Sequence, residues 1–189
     1  MKVSIFSAAG VLALALSIAP GATWAQKVRL ATSQGDIVLE LEPAKAPKTV
    51  ENYLGYVKSG HYDGTVFHRV IPTFMIQGGG MDSSMTEKKT GAPIALESKN
   101  GLKNLRGTVA MARTGDPDSA TAQFFINVQD NAFLDQAMSR DGHGYAVFAK
   151  VVSGMDVVDK IRALPTANKG PHQNVPVEPV LIKRATLEK

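Results

Sequence analysis

Apolar and polar positions alternate with period two over Val28–Thr32 and again over Ile37–Glu42, and the residues between them, Ser33-Gln34-Gly35-Asp36, are turn formers. This pattern predicts a β-hairpin at the start of the folded chain. From Pro47 to Lys58 the period changes: Val50, Tyr53, Leu54 and Val57 recur at helical spacing until Ser59-Gly60 ends the run. One amphipathic helix packed on a sheet is expected there. Strand-like runs follow at Thr65–Val70, Phe74–Gln77, Thr108–Ala112, Gln123–Val128 and Ala146–Val151, separated by loops rich in Gly, Asp, Asn and Ser. A second helix is predicted over Met155–Ala163, stopped by Pro165, and a last alternating strand over Val180–Leu187 is suited to pair with the first. Many short strands and two helices predict a mostly β fold, a closed antiparallel barrel with a helix at each end. The polar stretch Met81–Leu105 is too long for a simple turn and is expected as a structured surface loop bordering the site.

The first 25 residues follow a different logic. Lys2 precedes a mostly apolar run from Val3 to Ile18, interrupted by Ser7, Gly10 and Ser17, then stopped by Pro20-Gly21 and followed by Thr23 and Ala25 at cleavage-like positions. This predicts a cleaved secretory signal peptide over residues 1–25, one folded domain over 26–189 and a periplasmic location, with no stable membrane association. No cysteine occurs, so the exported domain relies on core packing alone, and a thiol nucleophile or thiolate metal site is excluded. The formal net charge of +4 is spread along the chain, which gives no case for a nucleic-acid partner. His61, His68, His143 and His172 lack metal-ligand spacing, Gly78-Gly79-Gly80 is not followed by a P-loop lysine and reads as a close-packed turn, and no serine sits in a GxSxG elbow. No metal or cofactor is expected.

Chemistry concentrates in FHRVIPTFMIQGGG, Phe67 to Gly80, where a single cation stands among large apolar side chains with no nucleophile beside it. Strict alternation puts Phe67, Arg69, Ile71 and Thr73 on one strand face and His68, Val70 and Pro72 on the other. Arg69 then either snorkels to solvent or is held at a cleft as a fixed hydrogen-bond donor. His68, on the opposite face, reads as a core or supporting histidine rather than a general base. In the second informative segment, Val109 to Val128, Ala110 and Ala112 leave room for a ligand backbone, Gln123 and Phe125 share a face, and Phe124 turns to the core. An apolar pocket edged by a side-chain amide suits an extended peptide.

Taken together, FHRVIPTFMIQGGG, GTVAMARTGDPDSATAQFFINV, Phe133-Leu134-Asp135 and YAVFAKVVSGMDVVDKI resemble, in order and spacing, the cyclophilin-type peptidyl-prolyl isomerases, most of all the bacterial periplasmic cyclophilin A type. The resemblance runs from about Val28 to the C-terminus. It implies an eight-stranded antiparallel barrel with two helices, no cofactor, and a monomer acting on proline-containing segments of unfolded or partly folded exported proteins. Arg69 corresponds to the catalytic arginine. The substrate groove corresponds to Phe74, Met75, Gln77, Ala112, Phe125, Phe133, Leu134 and Tyr145, with Gln123 as the amide at its edge. Phe133 stands where many eukaryotic members have tryptophan, Tyr145 where they have histidine, Thr73 for a glycine and Arg113 for an asparagine. A chaperone-like module that binds proline peptides without isomerising them is the competing reading, although a pure binder has no use for a charged donor at the prolyl nitrogen.

Overall fold

A computed structural model describes residues 26–188, so the predicted signal peptide over 1–25 lies outside the described residues. The opening hairpin forms as its alternation requires, with β1 (Lys27–Thr32) paired antiparallel to β2 (Gly35–Leu41). After helix α1 (Pro47–Lys58) come β3 (Thr65–Ile71), β4 (Met75–Asp82), β5 (Thr108–Met111) and β6 (Phe124–Asn127), then a 3₁₀ turn at Ala132–Leu134. The chain continues through β7 (Val147–Ser153), α2 (Met155–Arg162), a short hairpin of β8 (Thr166–Lys169) and β9 (His172–Pro176), and β10 (Leu181–Glu188). Eight strands close on themselves in the order β1-β10-β3-β4-β6-β5-β7-β2, and the pairing of β1 with β10 brings the two ends of the described residues together. Closure leaves no open sheet edge in the barrel. The β8–β9 hairpin was not expected; its strands are short, polar and largely exposed, which removes the alternation that would reveal them.

Helix α1 starts at Pro47, whose missing N–H costs nothing in the first turn. Its free amides are met from outside, since the Glu97 carboxylate accepts from Lys48 N (3.2 Å) and Thr49 N (2.8 Å). The helix buries Val50, Tyr53, Leu54 and Val57 against the barrel core. There Tyr53 meets Phe148 at 4.9 Å between ring centroids and Phe124 edge-on at 5.7 Å, and Phe67 meets Phe124 at 6.2 Å. Edge-on contacts of this kind add to the area term of burial.

Two irregularities depart from simple alternation. Phe67 pairs with Gly78 and Arg69 with Gln77, so two steps along β3 match one along β4 and an extra residue bulges at His68. The bulge resets the phase: Phe67 and Val70 both enter the core, not Phe67 with Arg69. His68 accordingly does not face away from Arg69, and both line one cavity with Gln77, Gln123 and His172. Second, Gly78-Gly79-Gly80 is no turn but lies within β4, where another register shift accommodates it. Gly79 has φ +85°, and a Cβ there would lie 2.9 Å from ring carbons of both Tyr62 and Phe124.

Gly79→Ala therefore combines a left-handed backbone with overpacking against two fully buried rings, and is expected to cost about 2–4 kcal/mol. Urea unfolding with a loss under about 1 kcal/mol contradicts this. His68 is 5% exposed and its Nδ1 has no partner among the described residues; burial, with His172 and Arg69 nearby, pushes its pKa down to about 4. The unfolded value is about 6.5, so the unfolded chain binds the proton first and stability falls as pH drops from about 6.5 toward 4. Between pH 7 and 5 this histidine should remove roughly 2 kcal/mol. Denaturant titrations of the wild type and His68→Gln at both pH values isolate that share, and identical pH dependence rules it out.

Candidate active site

Cross-strand register builds the site. Arg69 pairs with Gln77, Gln77 with Phe125, Phe125 with Ala110 and Ala110 with Val147, so one row of residues runs across β3, β4, β6, β5 and β7. Directly paired residues share a face, and positions two along each strand share it too. The row therefore brings with it Ile71, Met75, Gln123, Ala112 and Tyr145, all outside the barrel. Met75, Ala110, Phe125, Leu134 and Val147 form a second apolar cluster separate from the core, with Phe74, Ala112 and Tyr145 packed on it. One sheet thus carries the protein's core on its inner face and an apolar floor on its outer face.

Above that floor opens a cavity of about 490 Å³ lined by Arg69, Phe74, Met75, Gln77, Ala112, Arg113, Phe125, Phe133, Leu134 and Tyr145. All the candidate residues meet there except Gln123. It lies one step away, donating nothing to the cavity but accepting from Gln77 Nε2 at 2.9 Å, while Gln77 Oε1 accepts from Arg69 Nη1 at 3.4 Å. The chain Arg69–Gln77–Gln123 holds the guanidinium at the cavity wall. Among the described residues no carboxylate lies within ion-pairing distance of Arg69. Its donors remain available to a ligand, and the snorkelling alternative gives way to a cleft-lining one.

The rest of the rim comes from loops. The 3₁₀ turn supplies Phe133 and Leu134; Leu134 is buried, whereas Phe133 is 54% exposed and stacks at 5.5 Å on Phe74. Tyr145 meets Phe125 nearly edge-on at 5.6 Å. Arg113, which sequence reasoning singled out only as a departure from a family pattern, also lines the cavity and lies beneath the Tyr145 ring. The only sequence signal for it was an arginine directly after the small-residue strand Thr108–Ala112. Glu87 and Thr90, from the long polar segment, line a smaller neighbouring cavity that shares Gln77, Ala112 and Arg113 with the first and adds Gln123, so that loop does border the site. Chemically, the described residues offer here one unpaired cation, two amides and a wall of apolar side chains, with no nucleophile and base in contact among them. It can hold an extended chain and polarise one of its atoms.

Comparison with known proteins places this geometry. A family model described as "Cyclophilin type peptidyl-prolyl cis-trans isomerase/CLD" matches residues 27–187. The chain is 61% identical over 161 residues to the peptidyl-prolyl cis-trans isomerase cyp18 of Streptomyces antibioticus, covering 85% of this chain and 97% of that one. To peptidyl-prolyl cis-trans isomerase A of Dickeya dadantii it is 57% identical over 175 residues, covering 93% and 91%. Among solved structures, a cyclophilin-type isomerase of Cryptosporidium parvum superposes with a TM-score of 0.73 at 28% identity, covering 88% of this chain and 99% of the other. A further structure of that protein was determined in the presence of the dipeptide Ala-Pro. Barrel topology, matched length and identity above one half across the folded region agree, and the chain belongs to the cyclophilin-type peptidyl-prolyl cis-trans isomerases.

Proposed function

We propose that the groove beside Arg69 receives X-Pro segments of exported proteins in the periplasm and that Arg69 accelerates their cis/trans exchange. Rotation about an X-Pro bond faces a barrier near ~20 kcal/mol because amide resonance opposes the twist, which gives spontaneous exchange on the order of tens of seconds or more. In the twisted state the prolyl nitrogen loses conjugation and gains a lone pair. A donor aimed at that lone pair stabilises the twisted form more than the planar one, which is the condition for lowering the barrier.

Arg69 suits this role because its donors are rigidly spaced, held by Gln77 and unclaimed by any acid among the described residues. That unpaired cation over an apolar floor is the observation that carries the proposal. Phe74, Met75, Phe125 and Leu134 offer the proline ring a pocket, and Gln77 meets the peptide backbone. Reducing tens of seconds to milliseconds takes roughly four decades, or about 5–6 kcal/mol. One well-placed charged donor supplies ~3–4 kcal/mol, and exclusion of water by the pocket with positioning of the ring supplies the remainder. Residues 1–25 supply the export reading through their basic start, interrupted apolar run and small residues before Gln26.

Arg69→Ala is expected to lower kcat/KM at least about a hundredfold with the fold intact. A protease-coupled assay on an X-Pro peptide that shows less than a tenfold loss removes Arg69 from catalysis. For export, the full chain expressed in a Gram-negative host should appear in the periplasmic fraction with Gln26 as its first residue. Recovery with residues 1–25 intact in the cytosol refutes that part.

A further inference from the structure

Arg113 is the second guanidinium at the groove, and its circumstances are the reverse of those of Arg69. Its side chain is only 2% exposed. Nε and Nη2 both donate to Gly144 O, at 3.0 and 2.9 Å, Nη1 donates to Thr114 O at 2.9 Å, and Nη2 also pairs with the Asp141 carboxylate. These four bonds turn its donors back onto its own chain and away from any ligand. The guanidinium carbon lies 4.5 Å from the centre of the Tyr145 ring, which also meets Phe125 edge-on at the groove floor.

The turn before Tyr145 is tied to the same group. The second oxygen of Asp141 accepts from Ser139 Oγ (3.0 Å), His143 N (2.9 Å) and Gly144 N (3.2 Å), so one carboxylate gathers the turn and delivers it to Arg113. Gly144 has φ +68° and sits so close to Gln136 N that a Cβ would come within 2.6 Å, while Tyr145 N donates to Leu134 O at 2.9 Å. Backbone and cation together leave the ring one seat.

We propose that Arg113 is a positioning residue that sets substrate affinity by clamping Tyr145 as the fixed wall of the groove, an inference that rests on the groove being the substrate site. A planar cation beneath an aromatic face attracts it through the ring quadrupole, and the fork of donors fixes the cation relative to Gly144, adjacent to that ring. With the ring held before binding, the peptide does not have to order it. Because Arg113 directs its donors inward, it contributes equally to the planar and twisted substrate, and its loss belongs in KM and not in kcat.

The experiment is a double-mutant cycle with steady-state kinetics on an X-Pro peptide, with folding of each variant checked by thermal unfolding. Arg113→Ala should raise KM about five- to thirtyfold with kcat within twofold, and Tyr145→Ala should do the same. Arg113→Lys, lacking the fork, should resemble Arg113→Ala. In the Tyr145→Ala background Arg113→Ala should add less than twofold. Arg113→Met, which retains the apolar stem, replaces Arg113→Ala should the latter not fold. Wild-type KM in the folded Arg113 variants alongside a raised KM in Tyr145→Ala overturns the clamp alone, as do multiplicative effects in the double variant. Wild-type KM in Tyr145→Ala overturns the substrate reading of this wall together with the clamp.

Discussion

The register between β3 and β4 is the constraint on which the site depends. A single extra residue at His68 uncouples Arg69 from the phase of Phe67, so the strand sends Phe67 and Val70 inward while Arg69 points out over the groove. Without that bulge, strict alternation puts Arg69 on the same face as a core phenylalanine and either drags the guanidinium inward or exposes the ring. From the bulge onward the ladder does the rest, since Arg69, Gln77, Phe125 and Ala110 are neighbours by hydrogen-bonded pairing and not by loop placement. Positions set by a sheet are held more tightly than positions set by loops, which is what a donor aimed at one nitrogen requires.

The same sheet faces two apolar clusters with different purposes. Inside, Tyr53, Phe67, Phe124 and Phe148 fill the barrel and stabilise it. Outside, Met75, Phe125 and Leu134 are also nearly buried, yet they are covered only in part by Phe74, Phe133 and Tyr145, which leaves a notch. The alternation of Phe124 inward and Phe125 outward is therefore a division of labour between adjacent residues. Gly78 and Gly79 permit it: β4 has to pass close to Phe67, Tyr62 and Phe124, and any side chain at these positions would push the strand away from the rings.

Much of this could be read along the chain. The hairpin, both helices, the barrel and the placement of Phe125 opposite Phe124 follow from period-two and period-3.6 patterns, the room at Ala112 follows from its small side chain, and the place of Gln77 in the groove follows only from the family resemblance. The bulge cannot be read, because alternation has no symbol for an inserted residue; strict alternation therefore puts His68 on the wrong face, and the glycine run reads as a turn although it is a strand pressed against rings. The β8–β9 hairpin was hidden for another reason, as its exposed polar residues give no burial period to detect. Arg113 shows the limit for single side chains: an arginine in a loop reads as solvated surface, and only packing reveals that it is nearly covered and that its donors return to its own turn.

Two arginines within one groove also show how the same group is directed to different tasks by what surrounds it. Arg113 has an acid, two backbone carbonyls and an aromatic face around it, so its charge is neutralised and its geometry spent on structure. Among the described residues Arg69 has one weak amide contact at 3.4 Å and no acid, which leaves its field uncancelled at the edge of a poorly polarisable floor. A carboxylate placed beside Arg69 would steady it further but would also weaken its interaction with a developing lone pair, since a cation already paired has less to offer a neutral acceptor. The uncharged Gln77–Gln123 relay resolves that conflict: it restrains the guanidinium through dipoles and leaves the net charge intact.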